Sequence, residues 1–458
     1  MSRPNVVFLL TDQWRLQALG YAGNAQVQTP HIDRLASESI SFKHAISGYS
    51  VCCPWRASFL TGQYPLTHGV IVNDVPISGE PVGLGDAFKS AGYNTAYIGK
   101  WHVDGRGRSS YIPPERRLGF DYFKVLECSH DYNESAYYDN DDETMRFWDG
   151  YDVFAQTADA RRYIESQSSE KPFMLVLSWG PPHNPYETAP QEYRERYNPQ
   201  DIALRPNVPP EMAEEAREWL AGYYAHCSAI DKAVGDITAT LDELGLSENT
   251  VLVFASDHGD MLGSQGTVRK QKPWEESIRV PFLLRYLARY GREPREVEAF
   301  LNAHDIMPTL LGVCGLAIPG SVEGRDFSHE IEGESTSGEP PPRPYKNARD
   351  SEAALLACFH PFGEWSRPVG GREYRGIRTA RYTYCRTLDG PWLLYNNDAD
   401  PYQLRNLVGK ADYAETEADL EALLQRELVA IGDEFLDGMS YINRWGYPLD
   451  DTGTVPIR

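Results

Sequence analysis

Four short apolar runs in this 458-residue chain stop abruptly on polar residues of the kind that do chemistry. Residues 6–11 end on Asp12-Gln13, residues 95–99 on Lys100-Trp101-His102, and residues 251–256 on Asp257-His258-Gly259. Residues 173–178 lead through Gly180-Pro181-Pro182 into His183. Near-continuous apolar runs of this length suit strands buried on both faces, the condition inside a parallel α/β sheet. Ligands of such sheets bind beyond the carboxyl ends of the strands, where all four runs deliver their polar residues. The pattern predicts an α/β fold: a large, mostly parallel central sheet flanked by helices, with a catalytic rim.

A chain of this length exceeds one comfortable core, so two domains are expected. Residues 1–345 read as the α/β domain and 346–458 as a small C-terminal α+β domain with an antiparallel sheet. Thr29-Pro30 can open a helix that runs to Ala36, and residues 211–244 carry long helical periodicity up to Gly245. Residues 305–315 read as a shorter helix. The Gly-, Ser-, Pro- and Glu-rich stretch 333–349 reads as a linker or surface loop. After it, residues 374–379, 382–385 and 392–395 alternate like paired strands, and 415–435 reads as a closing helix. The Tyr-, Asp- and Asn-rich segment 130–151 is expected as an exposed loop on the active-site rim. The tail 440–458, with Trp445 and Tyr447, is expected to pack back onto the core or onto a neighbouring subunit.

The charge sum, 44 basic minus 66 acidic residues, is −22, which argues against nucleic-acid and anionic-membrane partners. Screening within about 8 Å still lets a local basic pocket hold an anion. Seven cysteines with no framework spacing and no zinc pattern fit a reducing compartment. The first apolar run is too short for a signal-peptide core, and nothing approaches the roughly 20 apolar residues of a membrane span. These features lead to an expectation of a cytoplasmic protein. No heptad or exposed apolar helix bears on oligomeric state.

The segment Cys52-Cys53-Pro54-Trp55-Arg56-Ala57-Ser58-Phe59-Leu60-Thr61-Gly62 is the most specific motif. Pro54 suits a first helical position, residues 54–61 supply about two turns, and Gly62 suits a left-handed stop. Cys52 and Cys53 are thereby expected at a helix N-terminus, where free amides and the dipole attract anions. The motif C-x-P-x-R-x-x-x-L-T-G resembles the signature of the type I sulfatases, in the alkaline phosphatase superfamily. Trp55 departs from the commoner Ser at its position, which bears mainly on recognition by the modifying enzyme.

The resemblance implies that Cys52 is oxidised to formylglycine by a formylglycine-generating or radical maturation enzyme, and that the hydrate is the nucleophile. Asp12, Gln13, Asp257 and His258 look like the family's metal set. Two carboxylates and an amide oxygen suit Ca²⁺, and the imidazole makes Mn²⁺ the alternative. Lys100 and His102 match a sulfatase motif, and a strand period of two would point both side chains the same way. His183 resembles a second active-site histidine. Lys270 precedes the block Trp274-Glu275-Glu276-Ser277, with Lys272 as the competing assignment. Arg56, Lys100, Lys270 and the metal would bind the sulfuryl oxygens. His183, alone or with Lys270, would protonate the departing alcohol, and His102 would deprotonate the second hydroxyl. Asn73, Arg106 and Arg108 are candidate substrate-binding residues, with turn or solvated-loop roles as the alternatives.

The substrate expected is a small anionic sulfate ester, of a carbohydrate or an aryl alcohol. A phosphonate monoester or phosphodiester hydrolase shares the modified cysteine and the metal set, but relatives of that kind lack the Lys-x-His pair. A choline-sulfatase-like enzyme would need an aromatic cage. A catalytically dead binding protein is disfavoured, because every expected catalytic position is filled.

Overall fold

The computed structural model describes residues 3–168, 170–332, 352–451 and 453–456. Ten strands form the main sheet: β1 Asn5–Asp12, β2 Ile40–Ala45, β3 Asn94–Lys100, β4 Tyr122–Leu126, β5 Ala136–Asp139, β6 Asp142–Phe147, β7 Phe173–Pro182, β8 Thr250–Ser256, β9 Phe282–Arg285 and β10 Arg295–Leu301. Their order is β10-β2-β9-β8-β1-β7-β3-β4-β5-β6. The four site-bearing strands β8, β1, β7 and β3 lie side by side and parallel at the centre, so their polar ends emerge together.

Alternation along these strands explains why they read as continuous apolar runs. Val6, Phe8 and Leu10 of β1 pack into a core on one face, while Val7 and Leu9 pack into a core on the other. β8 divides the same way, with Val251 and Val253 on one side and Leu252 and Phe254 on the other. The long helix Ala213–Glu243 and the helix Asp152–Glu165 cover one face. The helices Cys52–Thr61 and Ala303–Val313 cover the other.

A second sheet follows, β11 Ala353–Cys358, β12 Tyr374–Thr379, β13 Tyr382–Thr387 and β14 Gly390–Asn396, antiparallel throughout. The helix Ala414–Ile431 buries Leu420, Leu424 and Leu428 against Ile377, Tyr384 and Leu394 on one face of it. Its other face packs Leu356, Tyr374 and Leu393 with Ile46, Ile278 and Phe300 of the main body. The linker read at 333–349 and the domain boundary at 345/346 lie outside the described residues.

Three expectations need correction, and one strand went unread. Residues 130–151 are no plain loop: β5 and β6 form a hairpin that extends the main sheet, turning at Asn140 with φ 52°. Exposed polar side chains on β6 hide its strand pattern. The motif helix begins at Cys52 rather than at Pro54, because Trp55 N–H already bonds the carbonyl of Val51 at 3.0 Å. His102 is off the strand, with φ 61°, so strand periodicity does not aim it. β11 was hidden in a short apolar run just after the linker. The tail does fold back, with Tyr447 donating its hydroxyl to the carbonyl of Gly69 at 2.7 Å. All seven cysteines are buried and unpaired, and no described helix is long and apolar enough to cross a membrane.

Candidate active site

The Cys52–Thr61 helix has every residue buried, and Gly62 ends it with φ 67°. Cys52 occupies its first turn, with Sγ 3.1 Å from Nε2 of His258 and 3.7 Å from Oδ1 of Asp12. Asp12, Cys52, Asp257 and His258 present ligand atoms that all lie within 4.8 Å of one another. β1 and β8 deliver these carboxylates and the imidazole as adjacent parallel strands in register.

His258 Nδ1 faces the carbonyl of Gly259 at 3.0 Å, a contact that needs the proton on Nδ1 and leaves Nε2 as a lone-pair donor toward the cluster. Gln13 has φ 71°, and its amide nitrogen donates to Asp260 at 2.7 Å, which leaves the amide oxygen turned inward. Two carboxylates, an imidazole nitrogen and an amide oxygen are a donor set that fits a hard or borderline divalent cation. Burial and the neighbouring Asp12 carboxylate push the Asp257 carboxyl up to about 6. Burial would also raise Asp12, but Lys100, His183, Arg56 and His258 outweigh it and hold that carboxyl well below its usual range.

Arg56 is fully buried and faces inward. Its Nε donates to Asp257 at 3.2 Å, Nη2 to Asp12 at 3.2 Å, and Nη1 to the Lys100 carbonyl and the Ser178 hydroxyl. The expectation that Arg56 touches a sulfuryl oxygen is thereby corrected. Its donors are taken by the two carboxylates and the backbone, so it is a counter-ion that positions them.

Lys100, at the end of β3, donates to Asp12 at 2.6 Å. Lys270 donates to the Gln13 amide oxygen at 3.0 Å and to Nε2 of His183, whose Nδ1 faces the Asn184 carbonyl at 2.9 Å. Lys272 lies apart: it donates to the carbonyls of Val268 and Lys270 at 2.7 and 2.8 Å and packs on Trp365. The geometry thus selects Lys270 as the site lysine and makes Lys272 a brace beneath its loop. Burial and Lys270 hold the His183 imidazole well below its ordinary range, so it is neutral. Burial and Asp12 push the Cys52 thiol up, yet Lys100, Lys270 and His258 pull it well below the ordinary value.

His102 meets Asp74, its Nε2 lying 3.2 Å from Oδ1, and Arg108 clamps the same carboxylate through Nε and Nη2 at 2.9 and 2.8 Å. The Asn73 amide oxygen accepts the Cys53 N–H at 3.1 Å. Arg106 pairs with Asp104 at 2.6 Å, further out. The sequence reading missed Asp74, Cys128, which lowers toward a thiolate beside His102 and Lys100 against its own burial, and His130, whose ring stacks on His183 at 4.4 Å. Cys128 and His130 follow β4, where Lys124 interrupts the apolar residues, so the unbroken run that marked the other strands was missing there.

This sheet, with a buried cation-ready cluster at the carboxyl ends of its central strands and a cysteine at a helix tip, defines a hydrolase of the alkaline phosphatase superfamily. Residues 4–316 match the sulfatase family model, and residues 263–429 match that of the N-sulphoglucosamine sulphohydrolase C-terminal region. The chain is 45% identical over 449 residues to an ulvan-active sulfatase of Formosa agariphila, covering 97% of this chain and 85% of that protein. A solved structure from a Bacteroides thetaiotaomicron locus for metabolism of multiple glycosaminoglycans superposes with a TM-score of 0.83 at 29% identity, covering 97% and 99% of the two chains. The phosphonate monoester hydrolase of Agrobacterium radiobacter gives a TM-score of 0.73 at 25% identity over the full length of both. The chain belongs to the sulfatase family and is a sulfuric ester hydrolase.

Proposed function

We propose that this chain hydrolyses the sulfate monoester of a carbohydrate, using formylglycine formed from Cys52. The observation that carries the reading is the setting of Cys52. It lies at a helix tip between His258 and Asp12, in a field that favours negative charge at its side chain despite burial. The hydrated aldehyde supplies two hydroxyls on one carbon, one to displace the alcohol from sulfur and one to release sulfate afterwards. Lys100 and Lys270 present ammonium groups where the sulfuryl oxygens would sit. Lys270 donates toward Nε2 of a neutral His183, so it is the lysine that holds the proton needed by the leaving oxygen. His102, fixed through Nε2 by Asp74, keeps Nδ1 without a hydrogen-bond partner among the described residues. Against its burial, Cys128, Cys53 and Asp74 raise its proton affinity well above the ordinary value, so its part in releasing the second hydroxyl's proton needs that charge field to relax when substrate binds.

Asp12, Asp257 and His258, with the Gln13 amide oxygen beside them, would hold a divalent cation, Ca²⁺ first and Mn²⁺ as the alternative. A cation there supplies Lewis-acid stabilisation of developing negative charge. The similarity to proteins named for ulvan and for glycosaminoglycan metabolism supports a carbohydrate ester. A maturation enzyme that oxidises Cys52 is a required partner. The Lys100 and His102 pair favours sulfate over phosphonate esters.

The test compares sulfate release from sulfated mono- and disaccharides with turnover of aryl sulfates and phenyl phosphonate esters. Dominant phosphonate turnover would overturn the sulfate assignment. Mass spectrometry of the peptide spanning residue 52 in active enzyme should show the aldehyde, and an unmodified thiol would refute its role.

A further inference from the structure

Beside the buried centre is a separate cavity of about 240 Å³ that the chemistry above does not use. One wall is the loop that carries Gly105, Arg106 and Arg108; the other is the C-terminal tail, with Tyr447, Val455 and Pro456. Asp74 joins the cavity to the centre. Its carboxylate meets His102, and its N–H donates to the Cys53 sulfur at 3.3 Å. Asp74 thus links the cavity wall to the centre through His102 and Cys53.

Its polar groups are pre-set. Arg106 uses Nε on Asp104 and Nη2 on the Tyr111 carbonyl, and Arg108 uses Nε and Nη2 on Asp74. In each guanidinium Nη1 has no hydrogen-bond partner among the described residues, and the side chains are 44% and 26% exposed. Asp104 serves Arg116 as well as Arg106, so that group carries net positive charge. Glu127 does not compete, because its carboxylate is occupied by the backbone N–H groups of Val103, Asp104 and Gly105 at 2.7–3.2 Å. Guanidinium groups held in place by carboxylates lose little side-chain freedom on meeting an anion.

The opposite wall suits a sugar ring. Tyr447 is fixed by its bond to the Gly69 carbonyl and lies nearly parallel to Trp445, with ring centroids 6.5 Å apart. The Asp450 N–H donates to the Thr454 carbonyl at 2.8 Å, and Val455 packs into the main core beside Tyr447. An aromatic ring and an apolar edge lining the same cavity as two guanidinium groups pair an apolar platform with an anion reader.

We propose that this cavity, completed by the C-terminal tail, binds a second acidic group, carboxylate or sulfate, on the sugar next to the one that bears the scissile ester. The proposal rests on the carbohydrate reading above. The substrate is then an oligosaccharide with at least two anionic groups on neighbouring rings, and the tail is a specificity element of the enzyme.

The test measures binding, so it does not depend on turnover. Calorimetric titration of the full chain with glucuronate, glucose 6-sulfate and glucose should show saturable binding of at least one acidic sugar, tenfold or more tighter than glucose. Arg106→Gln and Tyr447→Ala should each weaken that binding at least fivefold. Tyr447→Phe, which keeps the ring and loses only the hydroxyl, should weaken it less than Tyr447→Ala. Loss of glucuronate binding in Arg106→Gln assigns a carboxylate, and loss confined to glucose 6-sulfate assigns a second sulfate. Equal affinity for glucose and both acids, or acid binding that survives both Arg106→Gln and Tyr447→Ala in folded protein, overturns the proposal. Failure of the wild type to hydrolyse any sulfate ester would instead strike the carbohydrate sulfatase reading.

Discussion

Arg56 donates Nε to Oδ2 of Asp257 across 3.2 Å, and neither side chain has any exposed surface. Removing one member of such a pair leaves an uncompensated buried charge, at a cost of about 3–5 kcal/mol. Arg56→Met should lower unfolding free energy by about that amount in chemical denaturation. Arg56→Lys should recover only part, because an ammonium cannot reproduce the planar fork that reaches Asp12 and Asp257 together. A loss below about 1 kcal/mol, the worth of an exposed pair, would contradict the counter-ion role.

If Lys270 holds the proton for the leaving oxygen, its loss should matter most where that oxygen is basic. Lys270→Ala should reduce kcat for a sugar sulfate by about 10²–10⁴-fold. The loss for 4-nitrophenyl sulfate, whose leaving group needs no proton, should be clearly smaller. Equal losses on both substrates would remove Lys270 from that step.

Chelation should lower both activity and the thermal midpoint, since an ion held at 100 times its dissociation constant stabilises the folded state by about 2.7 kcal/mol. Readdition of Ca²⁺ should restore both, and Asp257→Asn should abolish the shift. A thermal midpoint indifferent to chelator and to added Ca²⁺ or Mn²⁺ would argue against a cation at the cluster.

Asp152, in the first turn of the helix Asp152–Glu165, is buried, and burial pushes its carboxyl from the ordinary 3.8 up to about 8. The folded chain therefore keeps a proton that the unfolded chain releases above about pH 4. This contribution is complete below the unfolded value and is lost as pH rises toward about 8. Urea denaturation between pH 5 and 8 should show wild type losing stability more steeply than Asp152→Asn. Parallel slopes would contradict the assignment.

Much of the centre was legible in the sequence because strand ends announce themselves: Asp12, Lys100 and Asp257 each close an apolar run. The helix of Cys52 announced itself by Arg56 and Gly62, although the role of Arg56 did not, since only the fold shows that its donors turn inward. His102 was found for the wrong reason. Its placement comes from a left-handed backbone and from Asp74, a contact between segments 28 residues apart that no local pattern encodes. The hairpin β5–β6 was invisible because its exposed polar side chains lack the alternation of a half-buried strand. Lys270 and Lys272 lie two positions apart and both are buried. Only the fold separates their roles, turning Lys270 to Gln13 and His183 and Lys272 to backbone carbonyls.

The helix that carries Cys52 is buried on every side, and Cys52 itself is 1% exposed. If Cys52 is oxidised as proposed, an oxidising enzyme could not grip this thiol in the finished fold, and its client would be the chain during synthesis or before the helix is covered. Maturation and folding would thus compete for the same segment. In a host with too little of the oxidising machinery, the product would then be well-folded, inert protein that later supply could not rescue.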